Sequence, residues 1–349
     1  MEENQGRIKG MRCTISEQID TIAKKLGAEE ASSNNIAEAI NGLTAALGAE
    51  GESSNNIVEA LEKVVANVKG GGSGGSDSRF KDFVEGTLTS AYDSEVTSIR
   101  ASAFYMCSLL TEANFPVCTS IVAGAFTYCY ALASVDFPVC TAIGNSAFLN
   151  CYTLASIDFP ACTKIGNYAF QYCSSLASVD FPVCTSIGDY AFHYCSSLVS
   201  VSLPACTTIG NSAFLNCYTL ASVDFPVCTT IGNSAFALCE SLTEANFPAC
   251  TSIGASAFIS CRSLTEANFP VCSYIGIGAF SRCYNLTSLY LTGSSVCALI
   301  ISNAFMSTPI AGYSTSAGRY GSIFVPKSLL SAYKKASNWS YFSSRFVGI

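Results

Sequence analysis

The spacing of apolar residues changes partway along the chain, and each spacing predicts a different element. In the first 69 residues the apolar positions fall in a 4-3-4 pattern: Ile15, Ile19, Ile22 and Leu26, then Ile36, Ile40, Leu43 and Leu47, then Ile57, Leu61, Val64 and Val68. That spacing lines one stripe of an α-helix. Each stripe is preceded by a capping-box pair, Thr14 with Glu17, Asn35 with Glu38, and Asn56 with Glu59, and followed by Gly27, Gly48 or Gly70, where a helix can end in a left-handed residue. The pattern therefore predicts three short amphipathic helices repeating every 21 residues. Helices of this length are marginal alone in water, so the stripes must pack on one another or on another chain. Two alternatives stand: an intramolecular three-helix bundle, or a docking and oligomerisation segment, for example a trimer.

Residues 70–78 then form a linker opening on GGGSGGS, a composition that behaves as a flexible coil. From Ile99 a unit of 22 residues takes over. One copy reads Leu176-Ala-Ser-Val179-Asp-Phe181-Pro-Val-Cys184-Thr-Ser-Ile187-Gly-Asp-Tyr-Ala191-Phe192-His-Tyr-Cys195. Its first part alternates as a strand does, and its apolar residues return at the same offsets in every copy. A single such coil cannot bury its own apolar face, whereas stacked copies turn each offset into a continuous buried row.

The segment LxxVxFPxC resembles the leucine-rich-repeat pattern, and the IGxxAFxxC that follows it is similar to the BspA-like branch of that family. The likeness runs over about 99–308 and includes a degenerate coil at Ser302-Asn303-Ala304-Phe305. Family members typically use a 23-residue unit; one residue fewer changes a turn, not the class of fold. The closing segment, Ile323 to Tyr333 followed by Asn338-Trp339, resembles the strand, helix and tryptophan terminus of such proteins, which covers the last core face. The expected architecture is an α/β leucine-rich-repeat solenoid of stacked parallel strands, nine coils plus a degenerate one. It would span 79–308, with a cap over 309–349 and the helical segment over 1–69. The helical segment in turn resembles parts of structural proteins of phages that infect gut bacteria.

Composition narrows the partners. With 349 residues, 50% hydrophobic and 12% charged, the chain can bury a large core. A formal charge of −7, with scattered basic residues, argues against nucleic acid or an anionic membrane as partner. No apolar window reaches the length of a spanning helix, and the first fifteen residues lack the apolar centre of a secretion signal, so synthesis in the cytoplasm is expected. Nineteen cysteines would suggest disulfides, but here they are periodic. Cys107 to Cys283 recur every 22 residues, and Cys118 to Cys272 form a second series offset by 11. Parallel side chains disfavour the disulfide dihedral, and the chain contains no CxxC pair for zinc, so buried thiols are expected, with no cofactor and no metal.

Two surfaces are candidates for ligand contact. The outward positions of the strand carry Glu112, Asn114, Asp136, Asp158, Asp180, Asp224, Glu244, Asn246, Glu266 and Asn268. Like charges at strand spacing repel, so their recurrence suggests either a partner's cations or a solvated polar face. Beside the AFxxC turn lie Tyr128, Tyr152, Tyr172, Tyr194 and Tyr218, with Tyr105, Tyr130, Tyr190 and Tyr284 in similar places. Tyrosine is enriched in binding patches, although such rings can also simply cover gaps between coils.

Catalysis finds no support in these residues. His193 is the one histidine, at a position that other repeats fill with Leu149, Gln171 or Ala237, and the glycines of the linker lack the Lys-Ser/Thr of a phosphate loop. The expected function is non-enzymatic recognition of a protein or glycan receptor, with the helices docking or oligomerising. The layout suggests a phage virion or tail-associated attachment protein. The alternatives are a bacterial cell-surface adhesin, which the BspA-like resemblance implies, and an intracellular structural scaffold.

Overall fold

In each repeat the outward, inward, outward alternation of a short segment such as Ser134-Val135-Asp136 makes a strand, and the Ile that precedes the glycine makes a second, shorter one. The computed structural model describes residues 88–313 and 320–349. The three helices expected between Ile15 and Val68 and the linker at 70–78 lie outside the described residues. Three-residue strands run from β1 (Ser90–Tyr92) through β3 (Glu112–Asn114) and onward to β19 (Ser288–Tyr290). Two-residue strands alternate with them from β2 (Ser98–Ile99) to β20 (Ala298–Leu299). All ten short strands form one sheet, and every pairing in it is parallel. The longer strands form four-, three- and five-stranded parallel segments. Their ladder breaks between Ser156–Asp158 and Ser178–Asp180, and again between Ser222–Asp224 and Glu244–Asn246.

The longer-strand row extends beyond the full repeats at both ends. β1 precedes them, and the closing segment adds β21 (Ser322–Val325) and β22 (Phe346–Gly348), which continue the sheet in parallel after β19. The described residues thus form a parallel solenoid of about twelve turns.

The core follows the repeat offsets. Leu176, Phe181, Cys184, Ala191, Phe192 and Cys195 are fully buried, as are their counterparts in neighbouring coils. Two phenylalanine columns fill the interior. In the AFxxC column successive rings stack at 4.9–5.6 Å, for example Phe192 on Phe214 at 5.3 Å with parallel planes. The FP column meets it edge-on or tilted, as Phe225 meets Phe236 at 6.2 Å and 70°. Offset-stacked and edge-to-face contacts are the two favoured aromatic arrangements, and the columns combine stacked contacts along their length with edge-on or tilted contacts between them. Leu203 takes one ring's place in the FP column and is itself fully buried.

The cysteine rows are explained by polar satisfaction as well as by size. The eighteen cysteines from Cys107 to Cys297 are buried free thiols. The Sγ of Cys140 donates to the Ala142 carbonyl at 3.3 Å, and that of Cys151 to the Phe126 carbonyl at 3.2 Å, a scheme repeated along both series. A thiol fills the space of a small apolar side chain yet adds a weak donor to a backbone carbonyl, in one series to a carbonyl that also accepts an amide, as Phe126 O does from Cys129 N at 3.2 Å. Threonines do similar work at the surface: Thr141 Oγ1 donates to the Thr119 carbonyl at 3.1 Å, and the pattern recurs down to Thr251.

The last coil is closed by side chains from the terminus. Helix α1 (Leu330–Lys335) brings Tyr333 under the array, and Trp339, fully buried, packs on Phe305, Tyr333, Phe342 and Phe346. The Trp339 indole donates to the Cys297 carbonyl at 2.7 Å, and the Cys297 amide donates to Tyr333 Oη at 3.0 Å. The strand, helix and tryptophan expected of this segment are present in that order. Among the described residues no helix is long and apolar enough to cross a membrane.

Candidate functional site

On the longer strands the central residue is buried in most coils, and the two flanking residues point outward. Glu112, Asp136, Asp158, Asp180, Asp224, Glu244, Asn246 and Glu266 are exposed, while Asn114 and Asn268 are half-buried. Register places Asp136 beside Asp158 and Glu244 beside Glu266, so like charges are adjacent. Asp180 and Asp224 flank Ser202 on either side, which relieves the row there. Asp158 and Asp180 are not register partners, because the ladder breaks between their strands. Asn268 Nδ2 donates to Asn246 Oδ1 at 3.0 Å, tying two of the expected contact residues to each other. This face is an open, acidic strip.

The tyrosine edge is more structured. Its positions exist because each coil turns twice through left-handed backbone, and Tyr128, Tyr172 and Tyr194 sit at one of these turns with φ of 64°, 62° and 60°. Tyr168 and Tyr190 sit at the other, with φ of 59° and 56°. In this region a bulky residue is strained, and the hydrogen bonds to the next coil hold it there, as Tyr172 N donates to the His193 carbonyl at 2.8 Å. The rings pair across coils. Tyr130 stacks on Tyr152 at 5.5 Å, Tyr168 on Tyr190 at 5.1 Å, and Tyr172 on Tyr194 at 5.0 Å, all within 12° of parallel. Tyr218 closes on Tyr194 edge-on at 6.4 Å, and Tyr128 bridges Tyr105 and Tyr130. Partial burial pushes the Tyr152 phenol above its ordinary pKa, and the neighbouring Tyr130 adds to this.

His193 lies within this cluster, with ring contacts to Tyr172, Tyr190 and Tyr194. Gln171 Nε2 lies 2.8 Å from its Nδ1 and Asn216 Nδ2 lies 3.4 Å from its Nε2, so three successive coils are linked by polar side chains. Burial among these rings pushes the imidazole below its usual pKa. Tyr168 lies outside the expected edge residues; the signal that marks it is that it stands 22 residues before Tyr190, at a turn position that the other full coils fill with serine or glycine.

A second ladder also escaped the sequence pattern. The residue after the glycine is Asn145, Asn167, Asp189, Asn211 and Asn233 in successive coils, and each side-chain oxygen accepts from the backbone amide one coil on, at 2.6–2.9 Å. Its recurrence every 22 residues is the signal that marks it. Among the described residues no cluster of three or more His, Cys, Asp or Glu side chains is arranged to hold a metal ion.

Comparison with known proteins places this architecture. The BspA type leucine rich repeat region matches residues 97–220 and 185–311 in six copies. No curated protein matches the sequence. Among solved structures, a leucine-rich-repeat protein of T. pallidum is similar at 28% identity, covering 44% of this chain and 78% of that one with a TM-score of 0.43. A leucine-rich cell surface protein of Faecalibacterium prausnitzii is similar at 22% identity over 58% of this chain and 77% of that one, TM-score 0.33. The pneumococcal vaccine antigen PcpA is similar at 13% identity over 75% and 83% respectively, TM-score 0.38. The repeat match covers well over half of the chain, on the same coils whose buried Leu, Phe, Cys and Ile rows build the solenoid, and the chain therefore belongs to the BspA-type leucine-rich-repeat family.

Proposed function

We propose that the array is a non-enzymatic recognition module that attaches its bearer to a cell surface, acting as an adhesin. The observation that carries this is the division of labour within each coil. Buried offsets repeat with few changes, while one outward turn position reads Tyr130, Tyr152, Ser174, Ser196, Tyr218, Glu240, Arg262 and Tyr284 on an otherwise constant backbone. Variation confined to the solvent side of a rigid scaffold suits recognition, where side-chain identity sets specificity and the scaffold holds the pattern still. A family likeness suggests a class of role, and the residues must carry the rest.

The acidic strip and the tyrosine edge are the two contact surfaces in this reading. The carboxylates of the strip are exposed on an open face and lack the enclosure in which acid–base chemistry operates. Display on a bacterial surface is favoured by the family match, and display on a virion rests on the N-terminal helices, which lie outside the described residues. In either setting several copies would turn weak contacts into avid ones. The test is binding of the fluorescently labelled full chain to intact bacterial cells and to host-cell monolayers. Saturable binding that drops at least fivefold when Tyr152 and Tyr218 are replaced by serine, the natural residue at this position in other coils, supports the reading. Absence of saturable binding to every cell type would overturn it.

A further inference from the structure

We infer that the tyrosine edge between Tyr130 and Tyr218 is a binding strip for a neutral glycan chain lying along the solenoid axis. The inference rests on the recognition reading above and adds the class of ligand.

The first ground is how the rings are interrupted. The interior phenylalanine column at the AFxxC position runs unbroken from Phe104 to Phe305, as a purely structural aromatic ladder does. The tyrosines instead stack in parallel only in pairs, and at each offset the coils on either side of a pair carry small polar residues; between offsets the rings meet edge-on or tilted, as Tyr218 meets Tyr194. Tyr130 and Tyr152 lie between Ser108 and Ser174, Tyr168 and Tyr190 between Ser146 and Ser212, and Tyr172 and Tyr194 between Asn150 and Asn216. An end ring such as Tyr152 or Tyr168 has its stacking partner in one adjoining coil, and the adjoining coil on the other side places a serine, not a ring, at the same offset. These two rings are 42% and 38% exposed. An open aromatic face with a phenol at its rim suits the C–H face of a pyranose, apolar in the middle and hydroxylated at its edge.

The second ground is charge. The turns at 127–130, 149–152, 171–174, 193–196 and 215–218 contain no Asp, Glu, Lys or Arg, and the next two bring in Glu240 and Arg262, paired at 3.5 Å. Nucleic acids and acidic polysaccharides are held by clustered basic residues, which this strip lacks. Its polar groups between the rings are neutral amides, an imidazole and phenols, with Asn150, Gln171, His193 and Asn216 among them; the one carboxylate at its margin, Asp189 beside Tyr190, is engaged by the Asn211 backbone and side-chain amides at 2.6 and 3.2 Å. The neutral groups can both donate to and accept from sugar hydroxyls.

The third ground is periodicity. From Tyr130 to Tyr218 there are four coil steps of about 4.8 Å, a strip of about 20 Å. A polymer of identical units can meet positions stepped at that spacing in register, whereas most folded protein surfaces offer no matching repeat.

The experiment is calorimetric titration of the full chain with neutral β-1,4-glucan, xylan and mannan oligosaccharides from two to six units, with heparin as an acidic control. Binding of at least one neutral series is expected to strengthen with chain length, to be insensitive to salt, and to weaken about tenfold in Tyr152→Ala or Tyr168→Ala. Tyr152→Phe should retain most of the affinity, since the ring face survives, and circular dichroism should show each variant folded. No heat with any neutral series, or binding unchanged in the folded double Tyr152→Ala/Tyr168→Ala variant, overturns the glycan assignment. Salt-sensitive capture of heparin alone does so too. If the chain still binds cells stripped of surface glycans by periodate, and the tyrosine variants abolish that binding, the recognition reading survives and the ligand is a protein.

Discussion

Gly210 lies so close to Gly188 in the preceding coil that a Cβ on Gly210 would sit 2.5 Å from the Gly188 carbonyl carbon. The same holds along the row from Gly144 to Gly276, where an added Cβ would meet the backbone of the coil before it at 2.5–2.8 Å. Each of these glycines donates its amide to the isoleucine one coil back, as Gly210 N does to the Ile187 carbonyl at 3.0 Å. The glycine is needed for its missing side chain, which lets two coils approach within hydrogen-bonding distance.

Gly210→Ala should therefore cost about 3 kcal/mol or more, because backbone cannot rotate out of the way as a side chain can. Gly278→Ala is the informative contrast. Its added Cβ would be 3.4 Å from Ser256 Oγ, an ordinary contact, and its φ of +64° is shared by serines elsewhere in the array. The cost there should be about 1 kcal/mol. Urea midpoints for the two variants check this, and equal losses would refute the close-approach account.

The cysteine rows make the array sensitive to alkali. Burial pushes Cys184 to about 11 and Cys206 to about 12, while an unfolded thiol ionises near 8.5. Raised folded values mean that the folded state holds its protons longer than the unfolded state. The stabilisation from neutral burial is thus complete below about pH 8.5 and is lost as pH rises through 11 and 12. In that window stability falls by about 1.4 kcal/mol per pH unit for a thiol of this kind, and stacked thiols such as Cys184 and Cys206 titrate as an interacting series. Melting temperature followed by circular dichroism should be nearly flat from pH 6.5 to 8 and fall steeply above pH 9. A shallow, linear decline across the whole range would contradict it.

Trp339 is the sole tryptophan, so its fluorescence reports the end of the array directly. Trp339→Phe should retain packing on Phe305 but lose the indole bond to Cys297, a loss of about 1–2 kcal/mol. Trp339→Ala should cost about 3–5 kcal/mol and uncover Phe305, the last ring of the interior column. That variant should self-associate, since a solenoid with an open end exposes both apolar rows and unpaired strand edge. Light scattering during purification would reveal it, and a monodisperse Trp339→Ala would count against the capping role.

What the sequence by itself determined is the inward half of the protein. Side chains that return at fixed offsets in a repeating backbone must stack, so Leu176, Phe181, Cys184, Ile187, Phe192 and Cys195 could be assigned to rows before any coordinates, as could the outward strand positions. Tertiary structure decided what happens between coils on the outside, where identical spacing allows several arrangements. It paired Tyr172 with Tyr194 and Tyr130 with Tyr152, surrounded His193 with rings and amides, and brought Asn145, Asn167, Asp189, Asn211 and Asn233 into a ladder. It also paired the expected closing strand β21 in parallel with β19 and added β22 beside it. Burial follows from periodicity alone, because the core accepts any side chain of suitable size and polarity. Surface geometry depends on rotamers and on neighbours one coil away, which only the assembled solenoid brings within reach.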